Sequence, residues 1–378
     1  MNSKKIYVNQ SFVSDKAKKL VNEVMNSNWI GLGRMVAEFE EKFADYCGAK
    51  YCIATNSATA AIHLSLLIAN KDNTKVLTTP ITFVSVNNCI LQVNSEPIFC
   101  DVDQNTGNIS ISSIKDNIGF DYNLGAILTH YAGNLIDEEI IKYIINMLGK
   151  EDIINDYSHC AGARYLSDYP LINADYNVFS FHAIKNISSP DGGAIVTNNQ
   201  DVYNLAKKLR WCGINKSTYE RETCGYNWKY NVDELGYKYH MNDIAAAFCI
   251  ANLEDLEENN RFRLSILKRY GEELHPLIEM VPFNEGSSGH LAVIKLPKLI
   301  SRDRFIEELV KVGIYCGVHY IPNNKYGIFE ECKYPTPFAD DFYESIVSLP
   351  CHLLLSDDDI NYVIDTSNEL IEKELYKN

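Results

Sequence analysis

Lys185 is the single lysine in the stretch 175–198, DYNVFSFHAIKNISSPDGGAIVTN. Apolar runs flank it, Val178 to Phe181 before and Ala194 to Val196 after, and the turn cluster Ser188-Ser189-Pro190-Asp191-Gly192-Gly193 follows it. That pattern predicts strand, lysine-bearing loop, tight turn, strand. A lysine held between two buried strands is partly desolvated, which disfavours the ammonium form and leaves a nucleophilic amine. A solvated loop side chain is the plainer explanation of any one lysine, so the chemistry has to be carried by what else reaches it.

Three more stretches supply partners. Thr55-Asn56-Ser57-Ala58-Thr59-Ala60-Ala61 stands where an apolar run gives way to a helical pattern. Small and hydroxyl residues at a helix N-terminus expose backbone N–H groups to an anion, although they also serve as an ordinary N-cap. Thr79-Pro80-Ile81-Thr82-Phe83 ends a second run. The Phe83 ring there can stack on a flat heterocycle or pack into the core. Asn155-Asp156-Tyr157-Ser158-His159 places a carboxylate at the end of a buried strand. That placement is costly unless the carboxylate faces a cation such as a protonated pyridine nitrogen, or caps the next turn. His159 is close enough in sequence to contact the same ring, and Ser180 and His182 lie beside Lys185. Anion cradle, aromatic face, carboxylate and lysine match, in this order, the phosphate, ring, ring nitrogen and aldehyde of pyridoxal 5′-phosphate.

The elements that must position these groups follow a rhythm of short β-branched runs at 51–55, 75–79, 97–102, 125–130, 152–157, 176–181 and 192–197. Helical stretches at 58–69, 84–93 and 136–149 separate several of them, which predicts crossover connections and a mainly parallel, seven-stranded α/β sheet. Ligands of such sheets bind beyond the carboxyl ends of the strands. Helical spacing also marks 15–28, 35–47, 200–212 and 241–258, with a long helix following to about 274; 213–240 reads as an extended excursion. Beyond it come a strand at 290–296, a helix at 302–312, a strand at 316–320 and a final helix at 357–375. The expected division is residues 1–258, an N-terminal segment and large domain, and 259–378, a smaller α+β domain. The 378 residues are 46% hydrophobic and 22% charged, which suits a globular enzyme. A net charge of −15 argues against nucleic acid or an anionic membrane surface as partner. The eleven cysteines show no zinc-ligand spacing, so no metal centre is expected. Buried free thiols, no signal-peptide core and no long apolar run together predict a cytoplasmic protein.

The strings NSATAAIHL, TTPITFVS, DYSHCAGARY, FSFHAIKNISSPDGGAIVTN, GVHYIP and SLPCH, in this order, resemble the DegT/StrS-type family of fold-type-I, pyridoxal-phosphate-dependent sugar aminotransferases. The resemblance runs from about Val8 to the C-terminal helix. It implies that Lys185 is the Schiff-base lysine, that Asp156 partners the pyridine nitrogen and that His159 lies beside the cofactor hydroxyl. It implies phosphate contacts from Ser57, Ala58, Thr59 and Ser180, a stacking ring in Phe83, and acceptor-facing positions at Trp29, His319 and Tyr320. A homodimer with shared active sites, L-glutamate as donor and a nucleotide-linked 4-keto-6-deoxy sugar as acceptor, for surface glycan (polysaccharide) biosynthesis, are implied in the same way.

The chain departs from the family where an N-x-R-M element is usual. Gly236-Tyr237-Lys238-Tyr239-His240-Met241 places Lys238 at the Asn position, which in the family reaches the cofactor phosphate of the neighbouring subunit, and His240 at the Arg position. An ammonium can bind phosphate as a point charge, or contact an anionic substrate. The excursion carrying Arg221, Tyr226, Trp228 and Tyr230 also looks longer than in many relatives. Both features motivate a second acceptor class, a small phosphorylated ketone such as dihydroxyacetone phosphate. The family's dehydratases carry His in place of the Schiff-base lysine, so Lys185 disfavours that chemistry. A non-catalytic regulatory protein on the same scaffold is disfavoured by the intact lysine and aspartate.

Overall fold

The computed structural model describes residues 5–70, 72, 74–117, 124–167, 169–215, 228–332 and 334–375. In chain order these give β1 (Ile6–Tyr7), α1 (Asp15–Ser27), α2 (Arg34–Tyr46), β2 (Tyr51–Thr55), α3 (Ala58–Ile68), β3 (Lys75–Thr78), α4 (Val84–Gln92), β4 (Glu96–Phe99), α5 (Ile111–Asn117), β5 (Leu124–Thr129), α6 (Glu138–Leu148), β6 (Ile153–Asp156), β7 (Tyr176–Ser180) and β8 (Gly193–Thr197). They continue with α7 (Gln200–Leu209), α8 (Asp243–Glu254), α9 (Leu256–Glu273), β9 (Glu279–Met280), β10 (Ala292–Lys295), α10 (Arg302–Lys311), β11 (Ile314–Tyr315), α11 (Pro337–Ser345), β12 (Ile346–Leu349) and α12 (Asp357–Leu375).

The seven expected strands form one sheet in the order β2-β8-β7-β6-β5-β3-β4. All neighbours run parallel except the two pairs that include β8. Because β8 alone is reversed, its first residue, Gly193, lies opposite both Thr55 and Ser180 at the carboxyl edge of the sheet. The turn after β2 and the lysine loop after β7 therefore meet at one edge.

The two-residue period of β7 sorts its side chains. Phe179 and the following Phe181 reach the face covered by α2, where they meet Phe43 edge to face at 5.0 and 5.2 Å. Val178 turns to the opposite face and packs with Ile62 of α3. The helices on both faces explain why these strands are buried almost end to end. A separate apolar cluster gathers Ile266 and Tyr270 of α9, Ala292 and Ile294 of β10, Val347 and Leu349 of β12, and Val363 and Ile364 of α12. Ile6 joins that cluster because β1 pairs in parallel with β11. No helix among the described residues is long and apolar enough to cross a membrane.

Three local expectations change. The stretch 316–320 is not a strand: β11 ends at Tyr315, Gly317 makes a lone bridge to Ser348, and the chain then turns so that His319 and Tyr320 face the site. The helical stretch expected at 241–258 divides at Asp255 into α8 and α9, because Asp255 departs from helical backbone angles. Within the excursion, 228–240 contributes only isolated bridges, Trp211 with Lys238 and Thr55 with His240 among them. Arg221 and Tyr226 lie outside the described residues.

Gly193 is where the sheet edge is tightest. A Cβ there would stand 2.4 Å from the Ala58 nitrogen and 2.6 Å from the Ser57 oxygen, both backbone atoms. Gly193→Ala is therefore expected to push the first turn of α3 off the sheet edge, costing about 1–3 kcal/mol by overpacking. Thermal unfolding would read the loss, and phosphate or cofactor titration would show weaker binding at that helix end.

Candidate active site

A cavity of about 390 Å³ opens at the carboxyl edge of the sheet. It collects Ser57, Ala58, Thr59, Phe83, Asp156, His159, Ser180, Lys185, His319 and Tyr320, which the sequence singles out, together with Thr82, Thr129, Ser158, His182 and Asp191. Each arrives by a short route. Ser57 caps α3, its Oγ accepting the Ala60 N–H at 3.1 Å. Thr55 Oγ1 donates to the Ser57 carbonyl at 2.9 Å and holds the turn closed. The N–H groups of Ala58 and Thr59 belong to the first turn, whose donors have no intrahelical acceptor, and the helix dipole favours an anion there. Phe83 precedes α4 and keeps 58% of its surface exposed, so its ring is offered to the cavity and not spent on core packing.

Asp156, the last residue of β6, is 2% exposed. Its Oδ1 accepts hydrogen bonds from the Ser158 N–H at 3.0 Å and from the Ser158 hydroxyl. Burial raises its pKa, and the Ser158 donors, the Lys185 charge and Thr129 partly offset that rise. A carboxylate in this position is stabilised by a cation placed in the cavity, as a protonated ring nitrogen would be.

Lys185 is half-buried, and its backbone N–H closes a turn on the His182 carbonyl at 2.8 Å. Burial lowers its pKa to about 8, with Asp156 and then Cys160 acting in the opposite direction. The free amine is therefore about a tenth of the population at neutral pH, far more than for an ordinary lysine. An unfolded lysine keeps its ordinary pKa of 10.5, so between about 8 and 10.5 the folded chain binds fewer protons than the unfolded one. From this group alone, stability is expected to rise with pH through that window. Acylation of Lys185 with a small anhydride, read by peptide mass spectrometry across pH, should show a midpoint near 8. A midpoint at the ordinary lysine value would contradict the buried environment.

His159 accepts the Ala132 N–H at Nδ1 (3.2 Å), which places its proton on Nε2, facing the Tyr320 hydroxyl at 3.0 Å. Burial and the Lys185 charge hold its pKa well below the ordinary histidine value, so the ring is neutral. His319 lies 2.8 Å by Nδ1 from Ser348 Oγ, and burial pushes its pKa down to about 4.

Two of the expected residues do not line this cavity. Trp29 donates from Nε1 to the Leu32 carbonyl at 3.0 Å, at the start of α2. Lys238 holds its ammonium 3.6 Å from the Trp211 ring centroid, while its carbonyl accepts from Asn56 beside the Ser57 turn. His290 and Asn186, which no sequence pattern marks for the site, lie directly behind Lys185. The turn residues Ser287-Ser288-Gly289 before His290 are the one local hint, since they signal a loop and not the start of a strand.

With this geometry in place, comparisons with known proteins fall in one direction. The sequence pattern of the DegT/DnrJ/EryC1/StrS aminotransferase family matches residues 13–367. The chain is 32% identical over 378 residues to the UDP-4-amino-4,6-dideoxy-N-acetyl-beta-L-altrosamine transaminase of Campylobacter jejuni, covering 97% of this chain and 96% of that protein. It is 28% identical over 369 residues to the spore coat polysaccharide biosynthesis protein SpsC of Bacillus subtilis, covering 93% of each. Among solved structures, Helicobacter pylori PseC, an aminotransferase involved in the biosynthesis of pseudoaminic acid, superposes with a TM-score of 0.88 at 27% identity, over 98% of this chain and 100% of that one.

Proposed function

This chain belongs to the DegT/DnrJ/EryC1/StrS aminotransferase family, and from that premise we propose that it uses pyridoxal 5′-phosphate to move an amino group from L-glutamate to a nucleotide-linked 4-keto-6-deoxy sugar, a step toward surface glycans. The observation that carries the reading is the meeting, in one cavity, of a half-buried lysine amine, a buried carboxyl and a helix N-terminus. The residues fit the cofactor. The cradle at Ser57 and Ala58 is closed so tightly by Gly193 that no side chain is tolerated there, and the Asp156 carboxyl needs a cation.

When bound, the cofactor supplies an aldehyde that holds the amino group and a pyridinium ring that draws electrons from the reacting carbon. Ser57, Ala58, Thr59 and Ser180 would hold its phosphate, Phe83 would lie against its ring, His159 would lie beside its hydroxyl, and Asp156 would keep the ring nitrogen protonated. Lys185 Nζ takes and returns the proton at the substrate carbon that loses or gains nitrogen. A lysine near 8 carries and releases a proton close to neutral pH. His319 and Tyr320 face the acceptor.

We also assign the active sites to a homodimer in which Trp29 and Lys238 act across the interface. The support is that both stand outside the cavity of their own chain. Mixing Lys185→Ala with Lys238→Ala protomers tests this. Random pairing would restore about a quarter of the sites if the two residues act on opposite subunits, and no recovery above either variant alone would refute sharing. The proposed division at 258/259 is supported by the separate apolar cluster of the C-terminal part, with β1 attached to it. A cytoplasmic location is supported by the free thiols of the described cysteines.

The deciding experiment is a two-step assay. L-glutamate should convert the holoenzyme to its amino form with release of 2-oxoglutarate, and candidate keto sugars and dihydroxyacetone phosphate should then be compared for restoring the starting spectrum. Restoration by the keto phosphate alone would replace the sugar acceptor; no 2-oxoglutarate from glutamate would overturn the donor.

A further inference from the structure

Behind Lys185 lies a relay of buried amides whose hydrogen bonds can be assigned one by one. Asn260 of α9 donates from Nδ2 to the Ala161 carbonyl at 3.0 Å. A carbonyl only accepts, so the amide of Asn260 cannot be reversed, and its Oδ1 faces Asn186. Asn186 spends both Nδ2 protons, on Asn260 Oδ1 at 2.7 Å and on the Ser288 carbonyl at 2.8 Å. Reversing Asn186 would press two carbonyl oxygens together at Ser288, so its Oδ1 is fixed toward His290 Nδ1 at 2.8 Å. His290 Nδ1 must therefore carry the proton. Its Nε2 is left with a bare lone pair, and that nitrogen stands 3.5 Å from Lys185 Nζ. His290 is 1% exposed, and its ring lies 4.5 Å from that of His159.

From this chain of donors we propose that His290 is a positioning residue for Lys185: its unprotonated Nε2 draws one N–H of the lysine away from the cavity, so that the amine lone pair points into it. The inference rests on the reading of Lys185 as the proton-carrying amine. A histidine in the other tautomer would donate to that lone pair and occupy it. Every member of the relay serves to exclude that tautomer. The charged and titratable groups around the amine agree with the assignment. Asp156 favours the ammonium, while burial and the Lys185 charge keep His290, His159 and His319 neutral. The ordinary alternative is that His290 merely fills space under the lysine.

The test uses the chain without cofactor and the loaded enzyme side by side. In ¹⁵N-histidine-labelled protein, with His290→Gln supplying the assignment, the His290 ring should show a protonated Nδ1 and a bare Nε2 at neutral pH. A protonated Nε2 overturns the proposal, whatever the variants do. His290→Phe keeps the volume and removes the acceptor. Its Lys185 acylation midpoint should fall by roughly half to one pH unit, because the ammonium loses a hydrogen-bond acceptor. In the loaded enzyme, kcat should drop roughly 10²-fold through lost orientation, with KM for the amino donor little changed. His290→Gln, whose Oε1 can take the place of Nε2, should recover most of both quantities. If Phe and Gln are equally impaired while the Lys185 midpoint stays put, the side chain is only filler and the inference fails. The nitrogen spectrum and the amine titration need no amino acceptor. A chain that passes both yet transfers no amino group would therefore sink the functional reading and leave the role of His290 standing.

Discussion

Lys185→Ala is expected to lower amino-group transfer at least roughly 10³-fold, since in the proposed mechanism it removes both the covalent anchor and the proton carrier. The amine is the cavity group whose pKa is brought down to about 8. His159, His290 and His319 are neutral at working pH but held far below the range in which they could take up a proton. Tyr320 is displaced in the other direction by burial and by Asp156. The fold should tolerate the change. Lys185 makes its turn through the backbone N–H, and deleting a desolvated amine relieves the cost of burying it. An unchanged or slightly raised Tm, combined with lost turnover and no visible absorbance on adding pyridoxal 5′-phosphate, is the expected result. Turnover within tenfold of the parent would remove Lys185 from the mechanism.

Asp156→Asn should have the next largest effect. The substitution preserves shape, and the Oδ1 of an asparagine can still accept from the Ser158 N–H and hydroxyl, so β6 and its following turn are retained. What disappears is the negative charge. At a site 2% exposed, losing one member of a buried charge pair costs about 3–5 kcal/mol, which predicts a fall in kcat of roughly 10²–10⁴-fold. Weaker cofactor retention on dialysis should accompany it. Because Asn is neutral at every pH, the variant should also lose any acid limb of the pH–rate profile that belongs to this carboxyl. If Asn and Asp behave alike, the ring-nitrogen partnership is wrong and Asp156 serves only as a turn cap.

Much of the site was legible in the chain because its parts are local. The seven strand runs, the turn chemistry after β2, the carboxylate at the end of β6 and the lysine in the loop after β7 each depend on residues within a few positions of one another. A parallel sheet then brings its carboxyl ends together by geometry alone. The reversal of β8 was less legible, since a short apolar run reads the same in either direction. The C-terminal part is less legible for a similar reason. The stretch 316–320 alternates like a strand, yet its pairing ends at a single bridge to Ser348 and the chain turns into the cavity.

By itself the sequence determined which side chains the sheet presents at its carboxyl edge, because side-chain alternation and turn formation are short-range properties. Which of them touch is set by the closed fold. His290 meets Lys185 across 105 positions, and His159 meets Tyr320 across 161. The amide relay Asn260–Asn186–His290 joins three separate segments, and the protonation of one imidazole follows from the direction of two backbone carbonyls. Trp29 and Lys238 were placed at the site by resemblance, whereas the folded single chain keeps both outside its own cavity. Hydrogen-bond direction and pKa depend on burial and on partners far away in sequence, and neither is fixed until the chain has closed around the lysine.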